Sequence, residues 1–188
     1  MIPMVNIDVG AILQASLNGT YTDLVTRATG RSVRSQIERL LERAAPGAVS
    51  VIDFSNVGLL DFSCADEIVA TLMRQCHDDS PIANRYILFA GITERHLDAI
   101  EHVLERNGLA LVVRFTGLGV IQLIGVVRET ERQVWEAVVH EQRTDAAAVA
   151  AGTALDLTAV SDSLQSLYQK RLLMREGGEY RAPVGVVA

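Results

Sequence analysis

The middle of the chain carries the clearest pattern of hydrophobic and polar positions. Val49–Phe54 is an almost continuous apolar run rich in β-branched residues, which predicts a central strand covered on both faces. Apolar residues then recur at helical spacing from Ala65 to Cys76, which predicts an amphipathic helix. Ser63 precedes this helix and Asp66 follows three residues later, so we predict that Ser63 is the N-cap of a variant capping box.

The same alternation of strand and helix patterns continues on both sides of this stretch. Strands separated by helices at this spacing are typical of parallel βαβ units. The predicted elements are helices at Arg31–Ala44 and Thr93–Asn107, strands at Arg85–Ala90, Leu109–Phe115 and Val120–Val127, and a turn at Gly117 and Gly119.

The N-terminal segment predicts a β-hairpin. Val9–Gln14 is mostly apolar and would form its first strand, Asn18-Gly19 is a turn signal, and Tyr21–Thr26 would be the returning strand. This hairpin would give the sheet a mixed edge. Residues 1–127 therefore predict one α/β domain with a mixed sheet and helices.

A second pattern begins at about Arg128 and defines a predicted second domain, residues 128–188. Helical spacing covers Glu129–Glu141, Ala146–Ala151 and Thr158–Arg171. Strand-like residues on either side of Gly177-Gly178 then predict a β-hairpin. Three helices followed by a hairpin is the element order of a winged helix.

Composition and charge narrow the functional class. The 188 residues are 49% hydrophobic, and the net charge of −6 argues against non-specific nucleic-acid binding by the whole chain. The N-terminus lacks the pattern of a signal peptide, and no apolar run reaches the ~20 residues that span a bilayer. We expect a cytoplasmic protein with no membrane association, in which Cys64 and Cys76 stay reduced.

Candidate chemistry is sparse. The histidines are His77, His96, His102 and His140, and neither they nor the two cysteines have the spacing of metal ligands. Asp53 and Asp61 flank a loop and would be the carboxylates of an enzyme, but such residues more often hydrogen-bond to loop backbone. We therefore expect no enzymatic activity, no metal and no cofactor.

Val49–Arg74 carries Asp53-Phe54-Ser55 at the strand end and Leu60-Asp61-Phe62-Ser63-Cys64 at the helix start. Through these residues it resembles the STAS domain of anti-sigma-factor antagonists. The segment Ser63-Cys64-Ala65-Asp66-Glu67 is similar to the helix start of a group of STAS-like domains of unknown function. The chain departs from the antagonist pattern at Phe62 and Cys64, where a serine and a glycine would stand.

The resemblance implies a protein partner, either a kinase-like ATPase or an anti-sigma factor. It implies that Ser63 is phosphorylated, which would add about −1.5 to −2 charge; the alternative is that Ser63 only caps its helix. The loop between strand and helix would form the contact. The partner-binding candidates on and beside it are Asp53, Ser55, Asn56, Asp61 and Asp66.

The C-terminal domain resembles the winged helix-turn-helix of bacterial transcription regulators, whose third helix usually enters the DNA major groove. The residues from Arg128 to Ala188 have a net charge of −2, from seven basic and nine acidic residues. DNA binding and docking of a second protein therefore both stay open. The candidate DNA-binding residues are Ser161, Gln165, Gln169, Lys170, Arg171, Arg175 and Arg181.

These observations lead to one hypothesis and two alternatives. The hypothesis is a non-enzymatic bacterial regulator that binds a protein partner through the STAS-like domain. Its winged helix would bind DNA or a second protein, and homodimer formation is left open. The first alternative is a regulator whose α/β domain senses a small molecule. The second is an enzyme that uses Asp53 or Asp61.

Overall fold

The computed structural model describes residues 3–115 and 119–184. Contacts divide them into two compact units, an N-terminal unit that ends at Val126 and a C-terminal unit, Val127–Val184. Gly117, one residue of the predicted turn, lies outside the described residues.

The N-terminal unit is an α/β fold with a five-stranded mixed sheet, so the predicted class is confirmed at this level. The strands lie in chain order, and each of the first three is parallel to the next, whereas the fifth is antiparallel to the fourth. The strands are β1 (Met4–Asp8), β2 (Val49–Asp53), β3 (Tyr86–Ile92), β4 (Ala110–Phe115) and β5 (Ile121–Gly125).

Helices connect the parallel strands. Because every crossover moves one strand further in the same direction, the usual right-handed connection places these helices on one face of the sheet. Ile7, Ile52 and Phe89 belong to the same buried apolar cluster as residues of these helices. The helices are α1 (Val9–Leu17), α2 (Arg27–Arg43), α3 (Phe62–Ala65), α4 (Thr71–His77) and α5 (Glu94–Asn107).

The predicted N-terminal hairpin is wrong. Val9–Gln14 lies within α1, and the first strand is the preceding segment, β1, which pairs in parallel with β2. Asp8 explains the helix, because its side chain accepts a hydrogen bond from the Ala11 N–H at 3.0 Å and caps α1. Asn18 is the left-handed C-cap of α1, with φ of 49°, and not a hairpin turn residue.

Tyr21–Thr26 does not form a strand of the sheet. It makes one isolated parallel bridge, between Leu24 and Leu60. The antiparallel edge of the sheet comes instead from β5, at the opposite end from the predicted hairpin.

A π-helical turn, Asp66–Ala70, joins α3 to α4 and makes Phe62–His77 one continuous helical run. The extra residue in a π-helical turn shifts the side chains that follow, and such turns occur often at functional sites. Gly30 of α2 allows close packing here, because a Cβ on Gly30 would lie 3.0 Å from the Cys64 Cα. Cys64 and Cys76 are both buried free thiols.

The C-terminal unit contains three helices followed by a β-hairpin. Its elements are α6 (Glu129–Glu141), α7 (Ala146–Gly152), α8 (Leu157–Gln169), β6 (Met174–Glu176) and β7 (Glu179–Arg181). Trp135 of α6 is buried, and its indole N–H donates to the Leu172 carbonyl at 3.2 Å. In the part of the chain that the structure describes, the helices all fall short of the length and apolarity needed to cross a membrane.

Candidate functional site

The carboxyl ends of the parallel strands meet at one edge of the sheet, where several predicted site residues lie. Asp8 ends β1 and Asp53 ends β2, and the two are register partners. Asp53 is also the register partner of Ala90 of β3, and Ala90 is the register partner of Arg114 of β4. Ligands in open α/β sheets usually bind beyond this edge.

The loop after β2 is held by the two aspartates. The Asp53 Oδ1 atom accepts hydrogen bonds from the Ser55 N–H at 2.9 Å and the Ser55 hydroxyl at 2.6 Å. Asn56 donates through Nδ2 to the Asp8 Oδ2 atom at 3.0 Å. The structure therefore brings together the candidates Asp53, Ser55 and Asn56 and adds Asp8, which sequence reasoning missed.

His96 of α5 fixes the next part of this loop and was also missed. Its side chain is fully buried, and Nδ1 accepts the Thr93 backbone N–H at 3.3 Å. The hydrogen on the ring is therefore on Nε2, which lies 3.2 Å from the Val57 carbonyl and 3.1 Å from the Gly58 carbonyl. The only available sequence signal was the position of His96 three residues after the cap residue Thr93.

The helix after the loop is capped by Asp61 and not by Ser63, so that prediction is wrong. The Asp61 Oδ1 atom accepts the Cys64 N–H at 2.7 Å, and Oδ2 accepts the Thr26 N–H at 3.2 Å. Ser63 is the second residue of α3 and donates its hydroxyl to Asp61 Oδ1 at 2.9 Å. An aspartate two residues earlier is an equally good cap, and it can also reach a distant segment.

The hydrogen bonds to Asp61 decide its protonation. Burial raises the pKa of Asp61, but the bonds from Cys64, Ser63 and Thr26 outweigh this effect and lower the pKa below its ordinary value. Burial, together with the nearby Asp61 carboxylate, raises the pKa of Cys64 to about 12. The Cys64 thiol therefore stays protonated at neutral pH and donates to the Thr26 carbonyl at 3.0 Å.

Thr26 is held in a strained conformation between these groups. Its φ of 75° is unusual for a β-branched residue, and such residues cost roughly 1–3 kcal/mol each. Asp61 binds its N–H and Cys64 its carbonyl, so this carboxylate and thiol keep Thr26 in place. Strain of this kind is common where a protein binds or switches.

Asp66 and Glu67 lie in the π-helical turn against α2. Arg27 contacts both carboxylates at 3.0 Å, and these hydrogen bonds, Asp66 first, raise its pKa. Arg31 and Arg34 each approach Glu67 at 3.5 Å. Asp66 is therefore paired within the protein, whereas Asp61 and Ser63 form a separate group at the start of α3.

Large apolar side chains are exposed beside Ser63. The segments 21–26 and 58–62 run side by side, because Leu24 donates to the Leu59 carbonyl at 2.8 Å and Asp61 donates to the Leu24 carbonyl at 3.0 Å. Val25 is 44%, Leu59 50% and Phe62 49% exposed. The Phe62 ring also contacts the His102 ring, with centroids 5.0 Å apart. We call Val25, Leu59 and Phe62 the apolar contact surface.

Open clefts border the loop after β2. One of about 420 Å³ is lined by residues that include Asp8, Gln14, Thr22 and Asn56. Another, of about 350 Å³, includes Asp53, Ser55, Ala90, Gly91, Arg114 and Phe115 among its lining residues.

In the C-terminal unit, the DNA-binding candidates divide between α8 and the hairpin. Ser161, Gln165 and Gln169 lie along α8, and all three are exposed. Lys170 follows α8, and its ammonium group is 2.8 Å from the Glu131 Oε1 atom. Arg171 lies over the Tyr168 ring at 5.5 Å.

The hairpin arginines also have partners within the unit. Arg181 pairs with Glu176 at 3.1 Å, and Arg143 pairs with Glu179. Arg175 is exposed and lies over the Tyr180 ring at 5.5 Å. Most of the positive charge proposed for phosphate contacts is thus already paired or stacked.

Glu131 of α6 is the most enclosed carboxylate of this unit. Its fully buried side chain accepts hydrogen bonds from Ser166 at 2.5 Å, Lys170 at 2.8 Å and the Arg128 N–H at 2.8 Å. Burial raises the pKa of Glu131, but Lys170 and then Ser166 and Arg128 lower it to about 2. No sequence signal linked Glu131 to Lys170, 39 residues later.

Among the residues that the structure describes, His, Cys, Asp and Glu form no group of three or more suited to a metal ion. Comparison of the sequence with models of known families gave no match. Comparison with curated proteins likewise gave no match.

Proposed function

We propose that this protein is a non-enzymatic bacterial signalling or transcription regulator whose N-terminal unit is a STAS-like domain that binds a protein partner. The partner class is a kinase-like ATPase or an anti-sigma factor. The apolar contact surface supports this proposal, because Val25, Leu59 and Phe62 are each about half exposed on adjoining segments. Burying the exposed half of such a side chain contributes roughly 1 kcal/mol to association.

Phosphorylation of Ser63 is the proposed switch, and the Asp61 cap supplies its physical basis. A phosphate on Ser63 has no proton to donate and would place about two negative charges beside the Asp61 carboxylate. At about 4 Å, each unit charge pair costs about 4 kcal/mol in an effective dielectric of about 20. The helix dipole offsets only about 1 kcal/mol of this repulsion, so the Asp61 cap would open.

Opening of the cap would change the apolar contact surface through Thr26. Asp61 holds the Thr26 N–H, and Thr26 has a strained φ of 75°. Once the carboxylate moves away, Thr26 relaxes and the adjoining Val25 moves with it. Phosphorylation would then change the shape of the surface and release the partner.

The test uses purified partners of the two named classes from neighbouring genes. We expect Phe62→Ser to weaken binding about fivefold, which corresponds to the roughly 1 kcal/mol of lost burial. Leu157→Ser, at a similarly exposed leucine of the C-terminal unit, should leave binding unchanged. Incubation with the kinase and ATP should add one phosphate to the wild type and none to Ser63→Ala. Identical binding by wild type and Phe62→Ser would reject the proposed surface, and a phosphate elsewhere would reject the switch.

For the C-terminal unit, we propose a winged-helix module that docks a second protein. The pairing of Lys170 with Glu131 and of Arg181 with Glu176 supports protein docking over DNA binding, since DNA affinity depends on free positive charge. The test is a gel-shift assay at low salt with promoter fragments. Saturable binding that Arg175→Gln and Arg181→Gln abolish would establish DNA as the partner instead.

A further inference from the structure

We propose that the cleft at the carboxyl ends of β2, β3 and β4 binds a small zwitterion, with its ammonium group at Asp53 and its carboxylate at Arg114. This inference is independent of the partner proposed for the apolar contact surface. It names a class of ligand for the alternative in which the α/β domain of a regulator senses a small molecule.

The register of the sheet places the two charges on one level. Asp53 is paired with Ala90, and Ala90 with Arg114, so the three side chains point to the same face of the sheet. Two strand spacings of about 4.8 Å put the outer Cα atoms roughly 10 Å apart. The side chain between them is the small one of Ala90, which lines the same cleft.

Both charged groups keep capacity for a ligand. Asp53 uses Oδ1 for Ser55, whereas Oδ2 accepts no hydrogen bond within the described part of the chain. The half-buried Arg114 makes no ion pair with any described residue, although Asp53 lies across the same cleft. Opposite charges that face one cleft without touching match a ligand that carries both charges.

The backbone at the centre of the cleft is shaped by a β-bulge. The register between β3 and β4 shifts between Ala90 and Ile92, at Gly91, which has a φ of 68°. A Cβ on Gly91 would lie 2.2 Å from the Ser55 nitrogen and 2.5 Å from the Asp53 Oδ1 atom. Bulges are common beside binding sites, and this one keeps the Asp53 and Ser55 groups directly against β3.

The size of the cleft limits the ligand. A volume of about 350 Å³ is near the lower end of ligand pockets, which argues for a molecule of amino-acid size. Phe115 supplies an apolar wall beside Arg114. A guanidinium group binds a carboxylate through two parallel hydrogen bonds, which selects a carboxylate over a single-acceptor group.

The experiment is a titration of the full chain with ω-amino acids from glycine to 6-aminohexanoate, followed through backbone amide signals by NMR. We expect at least one member to bind saturably and to shift the signals of Ser55, Gly91 and Arg114. Butyrate and butylamine, which carry one charge each, should bind at least tenfold more weakly than γ-aminobutyrate or the best member of the series.

Variants test the two contacts separately. We expect Arg114→Gln and Asp53→Asn to weaken binding at least tenfold while circular dichroism stays unchanged, since the carbonyl oxygen of the introduced amide still accepts from Ser55. Arg39→Gln, on the exposed face of α2, is the matched control and should bind as the wild type does. The proposal is overturned if no zwitterion of the series saturates at millimolar concentration, if Arg114→Gln binds equally well, or if butyrate binds as tightly as the zwitterions.

Discussion

Asp61 and Glu131 are two carboxylates that cap helices in opposite ways. Asp61 is the N-cap of α3 and accepts the N–H of Cys64 three residues later, whereas Glu131 reaches back from the third residue of α6 to the N–H of Arg128. Each side chain is one half of a capping box. They differ in their other partners, because Asp61 is bound by neutral donors and Glu131 by the ammonium group of Lys170.

This difference separates a cap that can open from a cap that must stay closed. Asp61 is partly exposed, and its partners Thr26 and Ser63 belong to segments at the surface. Glu131 is fully buried and joins α6 to the end of α8. We therefore expect substitutions at Glu131 to unfold the C-terminal unit and substitutions at Asp61 to act locally.

The largest expected effect is that of Glu131→Ala. Removal of the Glu131 carboxylate costs roughly 2–3 kcal/mol, the upper range for hydrogen bonds to a charged group, because Ser166, the Arg128 N–H and the 40% exposed Lys170 lose their shared partner. Urea unfolding followed by fluorescence would measure it, since Trp135 is the single tryptophan of the chain and reports on this unit. The exposed Glu136→Ala in the same helix is the control. A loss below about 1 kcal/mol would contradict a structural role for the ion pair.

The second expected effect is a pH dependence of the stability of the C-terminal unit, which also originates from the Glu131 carboxylate. Because the pKa of Glu131 falls from an ordinary 4.5 to about 2 on folding, its contribution to stability is present above pH 4.5. That contribution is lost as the pH falls from 4.5 towards 2. The urea midpoint seen by Trp135 should therefore decrease over this range in the wild type and change much less in Glu131→Gln. Parallel curves for the two proteins would show that Glu131 is not the titrating group.

Asp61→Ala should have a smaller and local effect, about 1–2 kcal/mol, which is typical of a lost N-cap. Hydrogen exchange should accelerate at the Thr26 and Cys64 amides, which lose their acceptor, while the Trp135 transition stays unchanged. Asp8 is another N-cap aspartate of the N-terminal unit, and Asp8→Ala is the comparison. It should accelerate hydrogen exchange at the start of α1 and leave exchange at Thr26 unchanged. Unchanged exchange at Thr26 in Asp61→Ala would show that Asp61 does not hold the Thr26 N–H.

The smallest expected effect is that of Ser63→Ala, about 0.5–1 kcal/mol, because its hydroxyl makes one half-buried hydrogen bond. Ser63→Asp should cost more, since it brings a second carboxylate next to Asp61. Chemical denaturation of the two variants, monitored by far-ultraviolet circular dichroism, would rank them. Equal stability of Ser63→Asp and Ser63→Ala would remove the electrostatic basis of the switch.

The sequence predicted most elements from Val49 onwards because their signals are local. The apolar run of β2, the turn at Gly177-Gly178 and the helix after Thr93 all follow from spacing and turn chemistry. The N-terminal helix α1 was mistaken for a strand because its apolar run is short enough for either structure. The cap at Asp8 would have distinguished the two.

The candidate site was only partly predictable because its geometry depends on pairing over long distances. Asp53, Ser55 and Asn56 were found from their position after a strand. Asp8 joins them only because β1 pairs with β2, and Arg114 only because three strands align in register. Likewise, the contacts of His96 with the carbonyls of Val57 and Gly58 span 39 and 38 residues, and no local pattern reveals them.

The order of the sheet has a consequence for synthesis on the ribosome. Since β1 to β5 lie side by side in the order in which they are translated, each strand emerges next to a partner that already exists. Loop closure then spans only the intervening helical segment, and its entropy cost rises only slowly with the length of that segment. The last step adds β5 as a short antiparallel return beside β4. The N-terminal unit can therefore fold strand by strand during translation, before the residues of the C-terminal unit have been made.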